Sequence, residues 1–77
     1  MKIKIKLFAS LAETAGWRER SIQIADGATV LMVWAAATRE AVLPARTLCA
    51  INMDYCTVDA MVHAGDEIAF FPPVTGG

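Results

Sequence analysis

The first residues of the chain alternate strictly between lysine and aliphatic side chains, and this pattern limits the fold more than any other feature. Lysines occupy positions 2, 4 and 6, while the intervening positions are Ile3, Ile5 and Leu7. A period of two residues is typical of a β-strand with one buried face and one exposed face. We therefore expect a sheet that packs against a core on one face only.

Four further segments are predicted to be strands or strand fragments. Alternation resumes at residues 20–24, where Ile22 and Ile24 are expected to point inward. Later strands are predicted at residues 48–52 and 55–58, around a turn at Met53-Asp54. The last strand is predicted at residues 67–71, after a turn at 63–66, and Pro72-Pro73 ends it by removing two ladder donors.

Two helices are predicted between these strands. Ser10 and Glu13 have the spacing of a capping box, and Gly16 supplies a left-handed stop for a short first helix. Thr29 is the predicted N-cap of a longer second helix, and Pro44 prevents that helix from continuing. Its apolar face is predicted to contain Val30, Trp34, Ala37 and Ala41.

The order of these elements predicts an α+β fold. The main helix is too long for a hairpin loop and must cover one face of a mixed sheet, which is the β-grasp, or ubiquitin-like, arrangement. A ferredoxin-like alternative is disfavoured because a second long helix is missing. Seventy-seven residues allow one domain, 1–77, in which residues 72–77 form an extended tail. An enclosed active site would consume so small a core, so we expect any part in catalysis to be played through a partner.

Charge and hydropathy exclude several classes of partner. Seven basic against eight acidic residues give a net charge of −1, whereas nucleic-acid-binding domains carry a basic excess. The longest apolar run, residues 30–37, is too short to cross a bilayer, and the lysine-rich start fits neither a signal peptide nor an anchor. We expect a cytoplasmic protein that binds no nucleic acid and no membrane.

The cysteines and the histidine give no sign of a metal site. Cys49 lies in an apolar run and is predicted to be a buried thiol, and its spacing from Cys56 matches no metal motif. His63 is expected in a surface turn, without a second ligand at a useful spacing. We therefore predict no metal and no stably bound cofactor.

The most informative segment is the C-terminal one, Phe70-Phe71-Pro72-Pro73-Val74-Thr75-Gly76-Gly77. Glycines lack a Cβ, so Gly76 and Gly77 can thread a narrow channel and leave the terminal carboxylate open to close approach. Pro72 and Pro73 stiffen the exit from the last strand. Fully extended, residues 72–77 span at most about 20 Å, which is enough to enter the active site of another protein.

With the Gly-Asp-Glu turn before it, this ending resembles the small, sulfur-carrier subunits of molybdopterin synthase. The likeness extends over the whole chain, including Leu7-Phe8-Ala9 and Ala50-Ile51-Asn52, and is most specific in the tail. Departures from the family pattern lie outside the tail, at Trp34, Met53-Asp54 and Cys56.

The resemblance implies a sulfur-transfer cycle in molybdenum cofactor biosynthesis. An ATP-dependent activating enzyme would adenylate the Gly77 carboxylate, which would then be converted to a thiocarboxylate. The loaded tail would enter the large catalytic subunit, within a heterotetramer, and give its sulfur to cyclic pyranopterin monophosphate. The chain would then be a carrier subunit and no enzyme by itself, with ATP used by the activating enzyme.

Three other interpretations remain open. A thiamine-pathway sulfur carrier shares the fold and the Gly-Gly end, but the Phe-Phe-Pro-Pro-Val-Thr segment argues against it. A ubiquitin-type modifier is expected to have a basic tail, whereas Val74 and Thr75 carry no charge. The third is an interaction domain with a coincidental Gly-Gly.

Strand parity predicts a partner-binding surface on the open face of the sheet. If Ile68 and Phe70 face the helix, Phe71 faces the other way, as Phe8 does on the first strand. Parallel pairing of the first and last strands would make Phe8 and Phe71 neighbours. The residues predicted to bind the partner are Phe8, Phe71, Pro72, Pro73, Val74 and Thr75, with Gly76 and Gly77 at the reacting end.

Overall fold

The computed structural model describes residues 1–73. In chain order its elements are β1 (Lys2–Leu7), α1 (Ala9–Ala15), β2 (Glu19–Gln23), α2 (Val30–Thr38), β3 (Leu48–Ile51), β4 (Asp54–Cys56) and β5 (Glu67–Phe71). They form a mixed sheet with the strand order β2-β1-β5-β3-β4. β1 runs parallel to β5, while the other neighbouring strands are antiparallel. The predicted α+β, β-grasp fold is confirmed.

The core lies between one face of the sheet and helix α2. The aliphatic residues of β1 are buried there, and the lysines of the same strand lie on the opposite face. Phe70 of β5 is fully buried and packs edge to face against Trp34 of α2, with 5.0 Å between ring centroids. The alternation of residue types in β1 and β5 therefore predicts correctly which face of the sheet each side chain occupies.

Helix α1 begins differently from the prediction. The capping box was wrong, because Ser10 lies inside the helix and Phe8 occupies the N-cap position. The Phe8 N–H donates to the carbonyl of Phe70 at 3.2 Å, so the pairing of β1 with β5 extends up to the first turn of α1. Ala9 then turns the chain with φ at 51°. The end agrees with the prediction, since Gly16 is left-handed and its N–H donates to the Ala12 carbonyl at 2.9 Å.

Helix α2 is shorter than the sequence predicts. Thr29 is its N-cap as expected, and the hydroxyl accepts from the Met32 N–H at 3.3 Å. The helix ends at Thr38, well before Pro44, because Arg39 adopts a left-handed conformation with φ at 64°. Ala41, predicted on the buried helical face, is instead exposed in the following loop.

The turn between β3 and β4 lies one residue earlier than predicted. Asn52 and Met53 form it, with φ values of 49° and 72°. Two consecutive left-handed residues are the signature of a type I′ hairpin turn, whose twist matches that of the flanking strands. Asp54, predicted in the turn, is the first residue of β4 and pairs with Ile51.

Within residues 1–73, neither helix is long and apolar enough to cross a bilayer.

Candidate partner-binding site

Phe8 and Phe71 are neighbours on the open face of the sheet. Parallel pairing places Leu7 beside Phe70 on the core face of the sheet. The residues that follow them, Phe8 and Phe71, therefore lie side by side on the opposite face. The rings of Phe8 and Phe71 are 6.0 Å apart between centroids and nearly perpendicular, at 73°. The predicted adjacency is confirmed, and their part in partner binding stays a prediction.

A third ring, Tyr55 of β4, extends this pair, and the sequence analysis missed it. Its centroid lies 5.7 Å from that of Phe71, again edge to face, and the residue is 75% exposed. Phe71 is thus half-buried between Phe8 and Tyr55. We call these three residues the aromatic cluster. Phe8 and Tyr55 are exposed, and a group of exposed large apolar side chains on a small protein is typical of an interaction surface.

Ala50 and Ala69 form the floor of a depression beside the aromatic cluster. Across the strands, Lys6 lies beside Ala69, Ala69 beside Ala50, and Ala50 beside Tyr55. Because residues in register share a face, the small side chains form a floor between longer ones. The result is a depression of about 350 Å³, lined by Lys6, Phe8, Ala50, Met53, Tyr55, Glu67, Ala69 and Phe71.

The charged side chains next to the depression are paired with one another. Lys6 Nζ lies 3.6 Å from Glu67 Oε1 and 4.0 Å from Glu19 Oε1. Lys4 Nζ lies 3.8 Å from Glu19 Oε2. Each exposed pair adds little stability, but together they keep the face from being a purely basic surface. Recognition of a partner here is expected to depend on the apolar rings first.

Asn52 fixes the start of β5 and hence the position of Phe71. Its N–H donates to the Glu67 carbonyl at 2.8 Å, and its side-chain oxygen accepts from the Glu67 N–H at 3.0 Å. Its amide nitrogen also donates to Asp66 Oδ1 at 2.9 Å, and Asp66 Oδ2 accepts from the His63 N–H at 2.8 Å. These bonds tie two turns together and set the register in which β5 enters the sheet.

The predicted tail residues fall partly within this description. Pro72 and Pro73 follow Phe71 directly and are half-buried. Val74, Thr75, Gly76 and Gly77 lie outside the described residues, so the roles assigned to them remain predictions. Since Phe71 belongs to the aromatic cluster, the segment predicted to carry the reacting group starts at the edge of this surface.

The two cysteines lie on the other side of the sheet. Cys49 is buried as predicted and is directly opposite Cys56 across β3 and β4. Burial raises the pKa of the Cys56 thiol to about 12, helped by its hydrogen bond to Cys49 and by the charge that Cys49 could carry. His63 is largely exposed in its turn. Among residues 1–73, no three His, Cys, Asp or Glu side chains are grouped closely enough to hold a metal ion.

Comparison with known proteins gives consistent results over the full chain. The model of the ThiS family matches residues 5–77. The molybdopterin synthase sulfur carrier subunit of Escherichia coli is 35% identical, over 97% of this chain and 99% of its own. A protein with the same name from Chlamydomonas reinhardtii is 32% identical over the whole of both chains.

A solved structure agrees with the fold as well. SAMP1 from Haloferax volcanii, a small archaeal modifier protein, superposes with a TM-score of 0.82 at 30% identity, over the whole of both chains. The match to the family model and the full-length similarity to the two curated relatives lead to one conclusion: the chain belongs to the ThiS family.

Proposed function

We propose that this protein is the sulfur-carrier subunit of a molybdopterin synthase. The observation that carries the proposal is the full-length similarity to two relatives that share that name. The tail sequence supports it, because a Gly-Gly end that follows a Pro-Pro pair fits a reacting terminus delivered into another protein. The chain acts as a carrier and is not catalytic by itself.

The reacting group in this proposal is the C-terminal carboxylate of Gly77. A terminal carboxyl has a pKa of about 3.5, so at neutral pH it is an anion and a poor electrophile. Adenylation by a separate activating enzyme neutralises that charge and supplies a leaving group. Displacement of AMP by a sulfide-level sulfur nucleophile then leaves a thiocarboxylate, which donates its sulfur to cyclic pyranopterin monophosphate inside the large subunit. ATP is bound and used by the activating enzyme, and this chain holds no cofactor stably.

The open face of the sheet is the proposed contact with the large subunit. The aromatic cluster offers three rings around a depression with an alanine floor, which is the shape that receives a protruding apolar side chain. Because Phe71 ends β5, a partner seated on the cluster also meets the start of the tail. Docking on the aromatic cluster and insertion of the tail would therefore use one continuous interface. We propose a heterotetramer of two small and two large subunits.

We place this cycle in the cytoplasm. The activating enzyme consumes ATP when it adenylates Gly77, and the cytoplasm supplies that ATP.

The test is intact-mass measurement after incubation with an activating enzyme, ATP and a sulfur source. We expect the mass to rise by the exchange of one oxygen for one sulfur, and we expect the loaded protein to convert the pterin precursor when the large subunit is added. A variant lacking Gly77 is the matched control and should fold normally without gaining sulfur. Normal loading of that variant would overturn the assignment of the reacting group.

A protein modifier is the second candidate, and the likeness to SAMP1 is the observation that favours it. A modifier joins its terminal carboxyl to lysines of other proteins. The two functions separate in one measurement: conjugates of higher mass in a cell extract with ATP support the modifier, whereas conversion of the pterin without conjugates supports the sulfur carrier. A thiamine-pathway carrier would load sulfur but leave the pterin unchanged.

A further inference from the structure

The core side of the sheet carries a pair of thiols that the proposed function does not use. Cys49 of β3 and Cys56 of β4 are direct cross-strand partners, in the same row as Phe70. Their Sγ atoms are 3.5 Å apart, and the Cys49 thiol also donates to the Cys56 carbonyl at 3.2 Å. Both side chains pack at the edge of the hydrophobic core.

The backbone geometry suits a bond between these sulfurs. Residues directly opposite in antiparallel strands have Cα atoms about 4.5–5.5 Å apart, within the range of about 4.4–6.8 Å that disulfides span. A disulfide bond is about 2.05 Å long, so the sulfurs need to approach by only about 1.5 Å. β4 is a three-residue strand at the edge of the sheet, where a small adjustment disturbs few neighbours.

We propose that Cys49 and Cys56 form a reversible dithiol–disulfide pair, oxidised by low-molecular-weight disulfides such as oxidised glutathione. The Cys56 thiolate attacks one sulfur of the small disulfide, which forms a mixed disulfide and releases one small thiol. Cys49 loses its proton and attacks the Cys56 sulfur, which forms the internal bond and releases the second small thiol. Two protein thiols are oxidised, and one small disulfide is reduced to two thiols.

Accessibility fixes the order of these two steps. Cys49 is only 4% exposed, whereas Cys56 is half-buried, so the external disulfide reaches Cys56 first. The high pKa of the Cys56 thiol keeps the thiolate scarce at neutral pH and makes the first step slow. Cys56 lies on the edge strand β4, where a small thiol can attack its sulfur, so we expect the bond to be reduced again in a reducing compartment. This inference does not depend on the proposed function.

The test uses the folded full-length protein, oxidised glutathione at pH 9, an acid quench and intact-mass measurement. We expect the native protein to lose two hydrogen atoms without keeping an adduct, and peptide mapping to join residues 49 and 56. The Cys49→Ala variant should keep one glutathione adduct, because the resolving thiol is missing. The Cys56→Ser variant should stay unmodified, because its remaining thiol is buried.

Three results would overturn the proposal. The first is a stable adduct on the native protein, which would mean that Cys49 does not resolve it. The second is a disulfide-linked dimer in place of the internal bond. The third is native protein that remains unchanged after the incubation at pH 9. Peptide mapping of the native protein decides the question even if a variant folds poorly.

Discussion

Phe70 and Phe71 are consecutive residues of β5 whose rings lie on opposite faces of the sheet. Phe70 packs against Trp34 in the core, while Phe71 meets Phe8 and Tyr55 on the open face. The alternation of the strand thus places a folding residue and a candidate binding residue side by side. Substitution of Phe70 should therefore change mainly the stability of the fold, and substitution of Phe71 mainly the binding of the partner.

Replacement of Phe70 by alanine should destabilise the fold strongly. The side chain is fully buried, and its removal leaves a cavity against Trp34. We expect the free energy of unfolding to fall by about 3–5 kcal/mol, a large share of the total for a domain of this size. Urea denaturation followed by circular dichroism measures the change. Phe70→Leu, which keeps most of the volume, should lose clearly less, and equal losses would argue against a cavity.

Replacement of Phe71 by alanine should leave the fold nearly intact and weaken binding to the large subunit. Its ring is half-buried, and its aromatic contacts are with exposed neighbours. We expect a loss of about 1–3 kcal/mol in binding, as for a truncated aromatic hot spot, measured by calorimetric titration. Val42→Ala is the matched control, since Val42 is 78% exposed in the loop after α2. If both variants bind like the native protein, the open face is not the interface.

Tyr55 should contribute to the same binding and only slightly to stability. It is 75% exposed and touches the outer side of Phe71. We expect Tyr55→Ala to weaken binding by about 1–2 kcal/mol, and Tyr55→Phe to bind nearly as well if the ring supplies the contact. A strong loss in Tyr55→Phe would show that the hydroxyl is the recognised group. A double variant with Phe71→Ala should lose less than the sum of the single losses, because the two rings touch.

The alternation of residue types along the chain predicted the strands and the face that each side chain takes. The features that it did not predict depend on contacts between segments distant in sequence. In β1 and β5, buried and exposed positions alternate along the strand, so the sequence alone predicts the face of the sheet on which Ile68, Phe70 and Phe71 lie. The start of α1 could not, because Phe8 is held by the carbonyl of Phe70, far away in sequence. The Ser10–Glu13 spacing was therefore a local signal overruled by strand pairing.

The position of Tyr55 depends on where the turn between β3 and β4 lies, and Met53 gives no sequence signal for that turn. Glycine is preferred at the second left-handed position of a type I′ turn, yet Met53 occupies it. A turn one residue later would set Tyr55 beside Asn52, and the observed turn sets it beside Ala50. The aromatic cluster and the depression next to it both follow from that register.

Replacement of Met53 by glycine should therefore stabilise the hairpin. A φ of 72° strains any side chain with a Cβ, and Met53 is 91% exposed, so few contacts are lost. We expect a gain of about 0.5–1 kcal/mol in the free energy of unfolding, after the entropy of the glycine in the unfolded chain is counted. Gly65→Ala is the matched control. Its φ is also positive, at 84°, with open space around the added Cβ, and it should lose a similar amount. A destabilised Met53→Gly variant would mean that Met53 makes contacts that outweigh the strain.

The Cys56 thiol should titrate at unusually high pH, and Cys49 should be part of the reason. Burial is the main cause of the rise to about 12, followed by the hydrogen bond to Cys49 and its charge. Only the thiolate is alkylated, so in the folded protein the rate at Cys56 should keep rising about tenfold per pH unit beyond pH 9, where an ordinary thiol levels off. Iodoacetamide labelling of native protein between pH 8 and pH 10, read by peptide mass, measures this rate. In Cys49→Ala the hydrogen bond and the charge are gone, so the pKa should fall and labelling at pH 9 should be faster. A rate that levels off near pH 9 in the native protein would show that Cys56 is in contact with solvent and free of Cys49.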